Sequence, residues 1–338
     1  MIHYLLPSVG FFYKANLHAH STVSDGKITP VQLKELYKAQ GYSVLALTDH
    51  ELLVDHSDLD DEDFLTLTSM EYAFVEKQDY FSSRTIELNL FAKDQHNTTH
   101  VCYDPSYVIH GEKWRAPLVK CVGAPFKREY TIECIQKVID EANANGFLVS
   151  LNHPGYSMES PEFFGQLDGL FAMEIYNHIS FVSSGVFDYN PAMYENMLRR
   201  GKRLYCIAAD DCHSDRPDNA VNCDRYGGFV MIKAKELTYD KIIGALERGD
   251  FYASQAPLID ELYVEDGKVH IKCSPVKYIA MNTEHRPFGG IRIAEEGKYL
   301  TDAIFNLPIG QNYMRFDVID ERGRHANTRA YALDEIER

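Results

Sequence analysis

An α/β fold with a barrel-like mouth, followed by a small all-β module, is the architecture this sequence predicts. Three observations carry the prediction. Short apolar runs alternate with helix signals as far as Ala256. Several of those runs close on imidazole or carboxylate residues: Ala15–Leu17 before His18 and His20, Val44–Thr48 before Asp49-His50, Leu148–Asn152 before His153, and Tyr205–Ala209 before Asp210-Asp211. After Ala256-Pro257 the helix signals stop and short alternating runs take over. Strand and helix alternating through short loops build a parallel sheet, and polar residues at the carboxyl ends of such strands collect at one mouth.

Taken in order, Thr29-Pro30-Val31-Gln32 reads as a helix start, with a capping threonine, proline in the first turn and a glutamine reaching back; Gly41 ends it. A second helix is expected over Ile132 to Asn145, a third from Asn190-Pro191 to about Gly201, and a fourth from Thr238 to Gly249. Strand candidates between them are Leu65–Met70, Ile86–Phe91, Phe147–Leu151, Ala172–Tyr176, Leu204–Ala209 and Phe229–Ile232. From about 93 to 130 the rhythm breaks into an irregular insertion, which predicts either a substrate-covering loop or a solvated excursion. Residues 257–338 then carry the runs Leu262–Val264, Val269–Cys273, Tyr278–Met281, Ile291–Ile293 and Met314–Ile319, separated by glycine-containing turns, as expected of a sandwich-like module. The predicted division is therefore 1–256 and 257–338.

Composition narrows the function. The formal charge is −16, from 50 acidic and 34 basic residues. That disfavours a nucleic-acid polymer as partner, because binding its backbone rests on clustered Lys and Arg. Seven cysteines, odd in number and without a C-x-x-C spacing, argue against both a disulfide framework and a thiolate zinc knuckle. No apolar run approaches the ~20 residues of a membrane span, and the first residues lack the pattern of a secretion signal. A cytoplasmic protein without a membrane partner is expected; the oligomeric state is not encoded in any visible feature.

The chemistry lies in the polar strand ends. Alternate side chains of a strand share a face, so His18 and His20 can point together, and so can Asp211 and His213. Converging imidazole and carboxylate groups suit Zn²⁺, Mn²⁺ or Fe²⁺. The expectation is a metallohydrolase.

Six segments in fixed order sharpen this: Asn16-Leu17-His18-Ala19-His20-Ser21, Ser24-Asp25-Gly26, Leu47-Thr48-Asp49-His50, Ser69-Met70-Glu71, Asn152-His153-Pro154 and Asp211-Cys212-His213-Ser214. The series resembles the PHP (polymerase and histidinol phosphatase) family over roughly Ala15 to Ser254. The resemblance implies a distorted seven-stranded β/α barrel holding two or three divalent metals. It implies His18, His20, Glu71 and Asp211 as ligands of one metal, Asp25, His50 and His213 of a second, and Glu71 with His153 of a third. One position departs from the pattern. The strand after Glu71 carries Asn89 where many members have a ligand histidine, so the third site is expected to be weak or absent unless His96 or His100 compensates.

Other polar residues have rival readings. Asp49 could orient a ligand or simply close a strand-end turn. Asp210 and Cys212 should face away from the metals by alternation. Asn177 or His178, ending the segment Glu174-Ile175-Tyr176-Asn177, could touch substrate, and Lys127, Arg128, Arg216 and Arg225 could bind phosphate oxygens. His3, His56, His110, His270, His285 and His325 fit no signature. The expected activity is hydrolysis of a small phosphoester by metal-hydroxide attack. The branch of the family that the barrel plus β-module resembles also suggests a carboxylic ester or carbamate hydrolase. A non-catalytic metal-binding module is the third reading.

Overall fold

The computed structural model describes residues 2–77, 83–286 and 290–336. In chain order its elements are β1 (Ile2–Tyr4), β2 (Phe11–Asn16), α1 (Pro30–Ala39), β3 (Val44–Leu47), β4 (Leu65–Val75), β5 (Thr85–Ala92), α2 (Ile132–Ala144), β6 (Phe147–Leu151), α3 (Pro161–Phe164), β7 (Ala172–Asn177), α4 (Pro191–Arg199), β8 (Tyr205–Ala209), β9 (Phe229–Ala234), α5 (Tyr239–Arg248) and β10 (Phe251–Ser254). These are followed by β11 (Ile259–Glu265), β12 (Lys268–Val276), β13 (Tyr278–Thr283), β14 (Ile291–Ile293), β15 (Leu300–Asn306), β16 (Tyr313–Ile319), β17 (His325–Thr328), β18 (Tyr331–Ala332) and α6 (Leu333–Ile336).

Local sequence explains the helix starts. Thr29 accepts from the Gln32 amide while the Gln32 side chain accepts from the Thr29 amide, a complete capping box with Pro30 at the first position. Thr131 caps α2 by accepting from the Cys134 amide. At the far end of α5, Gly249 adopts φ 70°, the left-handed conformation that lets a chain leave a helix.

A mixed sheet of 14 strands dominates, in the order β14-β13-β16-β17-β10-β9-β2-β3-β4-β5-β6-β7-β8, with β18 paired to β16 off that path. Within it β2, β3 and β4 are mutually parallel, as are β6, β7 and β8. The expected parallel arrangement fails at β5, which is antiparallel to both β4 and β6, and at β9, which is antiparallel to β2. Only nine residues separate Val75 from Thr85, whereas a parallel return needs a crossover of about a dozen or more residues. β8 and β2 are not paired along their lengths. Just beyond their ends a single parallel bridge joins Ala19 to Cys212, with the Asp211 amide donating to His18 O at 2.9 Å and the His20 amide to Cys212 O at 3.0 Å. The strand ends that carry His18, His20, Asp211 and His213 are thereby held side by side.

The second sheet has four strands in the order β1-β11-β12-β15. Its inward residues Leu262, Val269 and Ile271 share one buried cluster with Ile279 of β13 and Phe316 and Val318 of β16. Two features were not visible in the periodicity. β1 joins this sheet by pairing Ile2 with Glu265, and β17 connects β16 to β10, so the large sheet runs continuously across Pro257.

The irregular insertion is docked on the molecule. Tyr103 and Val108 pack with Val23 and Leu52, residues that immediately flank the ligand segments. The contact is close: at Gly111, φ +51°, an added Cβ would lie 2.1 Å from Val23 O. No helix among the described residues is long and apolar enough to cross a membrane.

Candidate metal centre

The sheet places its polar strand ends together. His18 and His20 follow β2, His50 follows β3, Glu71 lies in β4, His153 follows β6, and Asp211 and His213 follow β8. His18 Nε2, His20 Nε2 and Asp211 Oδ1 form a triangle whose three edges are each 3.2 Å. Over it stands Glu71, with Oε1 3.2 Å from His18 Nε2 and Oε2 3.2 Å from His20 Nε2. Ligands ~2.0 Å from one tetrahedral ion would lie about 3.3 Å apart, so the donor spacing fits an ion at the centre. Hydrogen bonding agrees. His18 Nδ1 lies 2.7 Å from Glu174 Oε1, so the ring proton belongs on Nδ1 and the Nε2 lone pair faces the triangle. Asp211 Oδ1 is buried and has no hydrogen-bond partner.

Beside this triangle, Asp25, His50 and His213 gather with His20 in a second, more open group. His213 Nε2 is 3.4 Å and His50 Nε2 3.8 Å from the Asp25 carboxylate. The other nitrogen of His213, Nδ1, lies 2.8 Å from Asp211 O and donates to it. Asp49 shapes this side: its carboxylate accepts from the amides and hydroxyls of both Ser21 and Ser24, fixing the turn that presents Asp25. Asp49 thus organises the loop and contacts no ligand ring.

A third group joins Glu71, His153 and Glu87. His153 Nε2 is 3.1 Å from Glu87 Oε2 and 3.5 Å from Glu71 Oε1. Glu87 was not anticipated from the sequence. It sits on β5 two residues before Asn89, on the same face, between Ile86 and Leu88, where no local signal marks it. Asn89 instead points its amide toward Leu17 O at 3.5 Å, leaving its Oδ1 buried and unbonded. His96 pairs with Asp55 and is exposed, and His100 Nε2 accepts from the Leu53 amide, so neither reaches the group.

The electrostatics call for a cation. Burial opposes a charged ring at His18, yet Asp211, Glu71 and Glu174 outweigh it and lift its pKa to about 10. Burial likewise opposes His20 and His153, which carboxylates raise well above the usual histidine range. Burial would push Glu71 and Asp211 up, but the surrounding histidines hold both far below the usual carboxylate range. Protons or metal ions can supply that positive charge. Backbone strain is present here too: His153 (φ 22°), Asp211 (φ 56°) and Glu51 (φ 65°, next to His50) are non-glycine residues with positive φ.

Supporting contacts reach outward. Glu174 also accepts from the His153 amide and from Asn177 Nδ2, and Asn152 Nδ2 donates to Glu71 Oε1 at 2.6 Å. Asn177 additionally donates to Asp211 Oδ2, so it braces ligands from behind. Asp210 faces the other way, accepting from Tyr37 and from the amides of Tyr226, Gly227 and Gly228. Cys212 is buried among apolar neighbours.

A cavity of about 690 Å³ opens onto Asp25, His50, Glu71, His153, Asp211 and His213. Its remaining wall includes Phe74, Tyr107, Ile109, Tyr130, Tyr156 and Ile179. Of the four cations considered from sequence, Arg128 alone lines it. Both Arg128 Nη atoms bind Glu51, and the guanidinium lies between the rings of Tyr72 and Tyr107. Arg225 is buried against Ser214 O, Arg216 O and Asp218. Arg216 contacts Ser183 and Asn222, and Lys127 pairs with Asp104. His178 is held between Tyr176 OH and Cys223 O.

Fold and site together define an α/β chain whose strand ends converge on a buried histidine–carboxylate centre able to hold metal ions. The fold is similar to that of a two-domain protein from Bacteroides vulgatus containing a predicted PHP-like metal-dependent phosphoesterase, with 16% identity, 97% of this chain and 98% of that one covered, and a TM-score of 0.48. It is also similar to an amidohydrolase from Chromobacterium violaceum, at 15% identity over 62% of this chain and 93% of that one, with a TM-score of 0.40. A 5'-3' exoribonuclease of Haemophilus influenzae is 50% identical over 40 residues, which span 12% of this chain and 15% of that relative. No family model matches the chain.

Proposed function

We propose that the chain is a metal-dependent hydrolase of small phosphoesters. The observation that carries this reading is the 3.2 Å triangle of His18, His20 and Asp211 donors, capped by Glu71. These four residues would hold one divalent ion, Asp25, His50 and His213 a second, and Glu71, Glu87 and His153 a third, the metal being Zn²⁺, Mn²⁺ or Fe²⁺. Ions so held would acidify water and neutralise charge on an ester. The chain's own residues do the rest. Glu174 fixes the His18 tautomer, Asp49 holds the Asp25 turn, Asn152 and Asn177 orient Glu71 and Asp211, and the docked insertion walls the reacting group from bulk water. In this reading residues 1–256 carry the reaction and 257–338 contribute no ligand.

A second reading, cleavage of a carboxylic ester or carbamate on the same ligands, is favoured by one observation. The only arginine or lysine lining the cavity among the described residues is already neutralised by Glu51. Assay of sugar phosphates, nucleotides, aryl phosphates and aryl carboxylates with Mn²⁺ or Zn²⁺ separates the two. Phosphoester turnover that is abolished by chelation and lowered at least roughly a hundredfold by Asp211→Asn or His20→Ala supports the first. Carboxylate turnover alone selects the second, and no turnover by metal-loaded protein leaves a metal-binding module.

A further inference from the structure

Resting on the reading that the metal centre holds the reacting group, we infer that the rest of the substrate is uncharged and carries an aromatic ring. The cavity is far larger than a phosphoryl or acyl group requires, and its lining is of two kinds. One is the histidine–carboxylate cluster, with Asp25, Glu71 and Asp211. The other comprises Phe74, Tyr107, Ile109, Tyr130, Tyr156 and Ile179. Ile109 is 59% exposed, although it borders a buried polar centre. Tyr156 meets His153 edge-on, with ring centroids 5.5 Å apart, so the aromatic surface begins directly at the ligands.

Charge decides what this wall accepts. A second phosphate or carboxylate on the substrate would need a cation beyond the metals, since an unpaired buried anion is costly. Among the described residues Arg128 is the one guanidinium lining the cavity, and its Nη atoms are taken up by Glu51 and by Ala73 O. His110 also lines the cavity. Glu51, Glu87 and Glu129 also line the cavity. An additional anion would meet carboxylates, whereas a ring finds matching flat apolar surface.

The test measures binding by calorimetry to the full-length, metal-loaded protein, using three stable probes: methylphosphonate, benzylphosphonate and propane-1,3-bisphosphonate. Benzylphosphonate should bind on the order of tenfold more tightly than methylphosphonate, from burial of the ring, and the bisphosphonate should gain nothing over methylphosphonate. Ile109→Ser and Ile179→Ser should each cut the benzyl advantage at least threefold and leave methylphosphonate unchanged. Methyl and benzyl probes binding within twofold of each other, or a bisphosphonate tenfold tighter than methylphosphonate, overturns the inference while leaving the metal-centre reading intact. Methylphosphonate binding that persists in Asp211→Asn, or no binding of any probe, removes both.

Discussion

Glu87 Oε2 lies 3.1 Å from His153 Nε2, two positions ahead of Asn89 on one face of β5. A strand offers its inward face every second residue, so a carboxylate at Glu87 can reach a group that the short, neutral Asn89 does not. If Glu87 is a ligand, Glu87→Gln removes one bound metal equivalent and spares the others, as read by elemental analysis of the purified protein. Unchanged metal content in that variant would return the third site to the weak or absent state expected from Asn89.

The Glu174–His18 pair makes a separate prediction. Glu174 is fully buried and touches three groups of the centre: the His18 ring, the His153 amide and Asn177. Glu174→Gln keeps the shape but weakens acceptance from the ring N–H. Metal affinity should fall by about 10–100-fold, the usual cost of losing such an orienting partner. Competition with a chelator measures it, and an affinity within twofold of wild type would show that the ring is held by packing alone.

How far the sequence could be read follows from the range of each interaction. The strand-end histidines and aspartates were visible because their position depends on local alternation, and His18, His20 and Asp211 do meet. Helix starts at Thr29 and Thr131 were visible for the same reason. Glu87 and Glu174 were hidden because each sits inside a strand among apolar neighbours, where nothing local distinguishes a ligand or its partner from a buried ion pair. The Glu51–Arg128 pair was hidden because the partners are 77 residues apart. The pairing of β1 with β11 likewise depends on where distant chain returns, which no periodicity encodes.

His100 predicts acid sensitivity of the docked insertion. Its Nε2 accepts from the Leu53 amide at 3.0 Å and its Nδ1 donates to Thr98 O. Burial lowers its pKa from 6.5 to about 4. Above pH 6.5 the ring is neutral folded and unfolded, so it costs nothing. As pH falls from 6.5 to 4, the unfolded chain gains a proton that the folded chain refuses, and stability declines by an amount on the order of 3 kcal/mol. Because other groups titrate in this range, the readout is the difference between wild type and His100→Gln in denaturant unfolding at pH 7 and pH 4.5. The variant should lose less stability on acidification; an identical loss would show that His100 is not the responsive group.

The last prediction concerns Arg128, considered from sequence as a phosphate ligand and found in a buried pair with Glu51. Their side chains are only 3% and 5% exposed, and the guanidinium is stacked 4.3 Å from the Tyr72 centroid and 4.1 Å from that of Tyr107. Arg128 belongs to the end of the insertion, whereas Glu51 follows His50, so the pair pins the cavity wall to the histidine–carboxylate cluster. Removing one partner strands a charge away from water, at a cost of about 3–5 kcal/mol. Arg128→Met should therefore destabilise strongly, and Glu51→Met/Arg128→Met should recover at least half of the loss, because the double variant buries no unpaired charge. Denaturant unfolding of both single variants and the double variant measures the coupling. Additive losses would mean that Glu51 does not neutralise Arg128, freeing the guanidinium to meet an anionic substrate as the sequence first suggested.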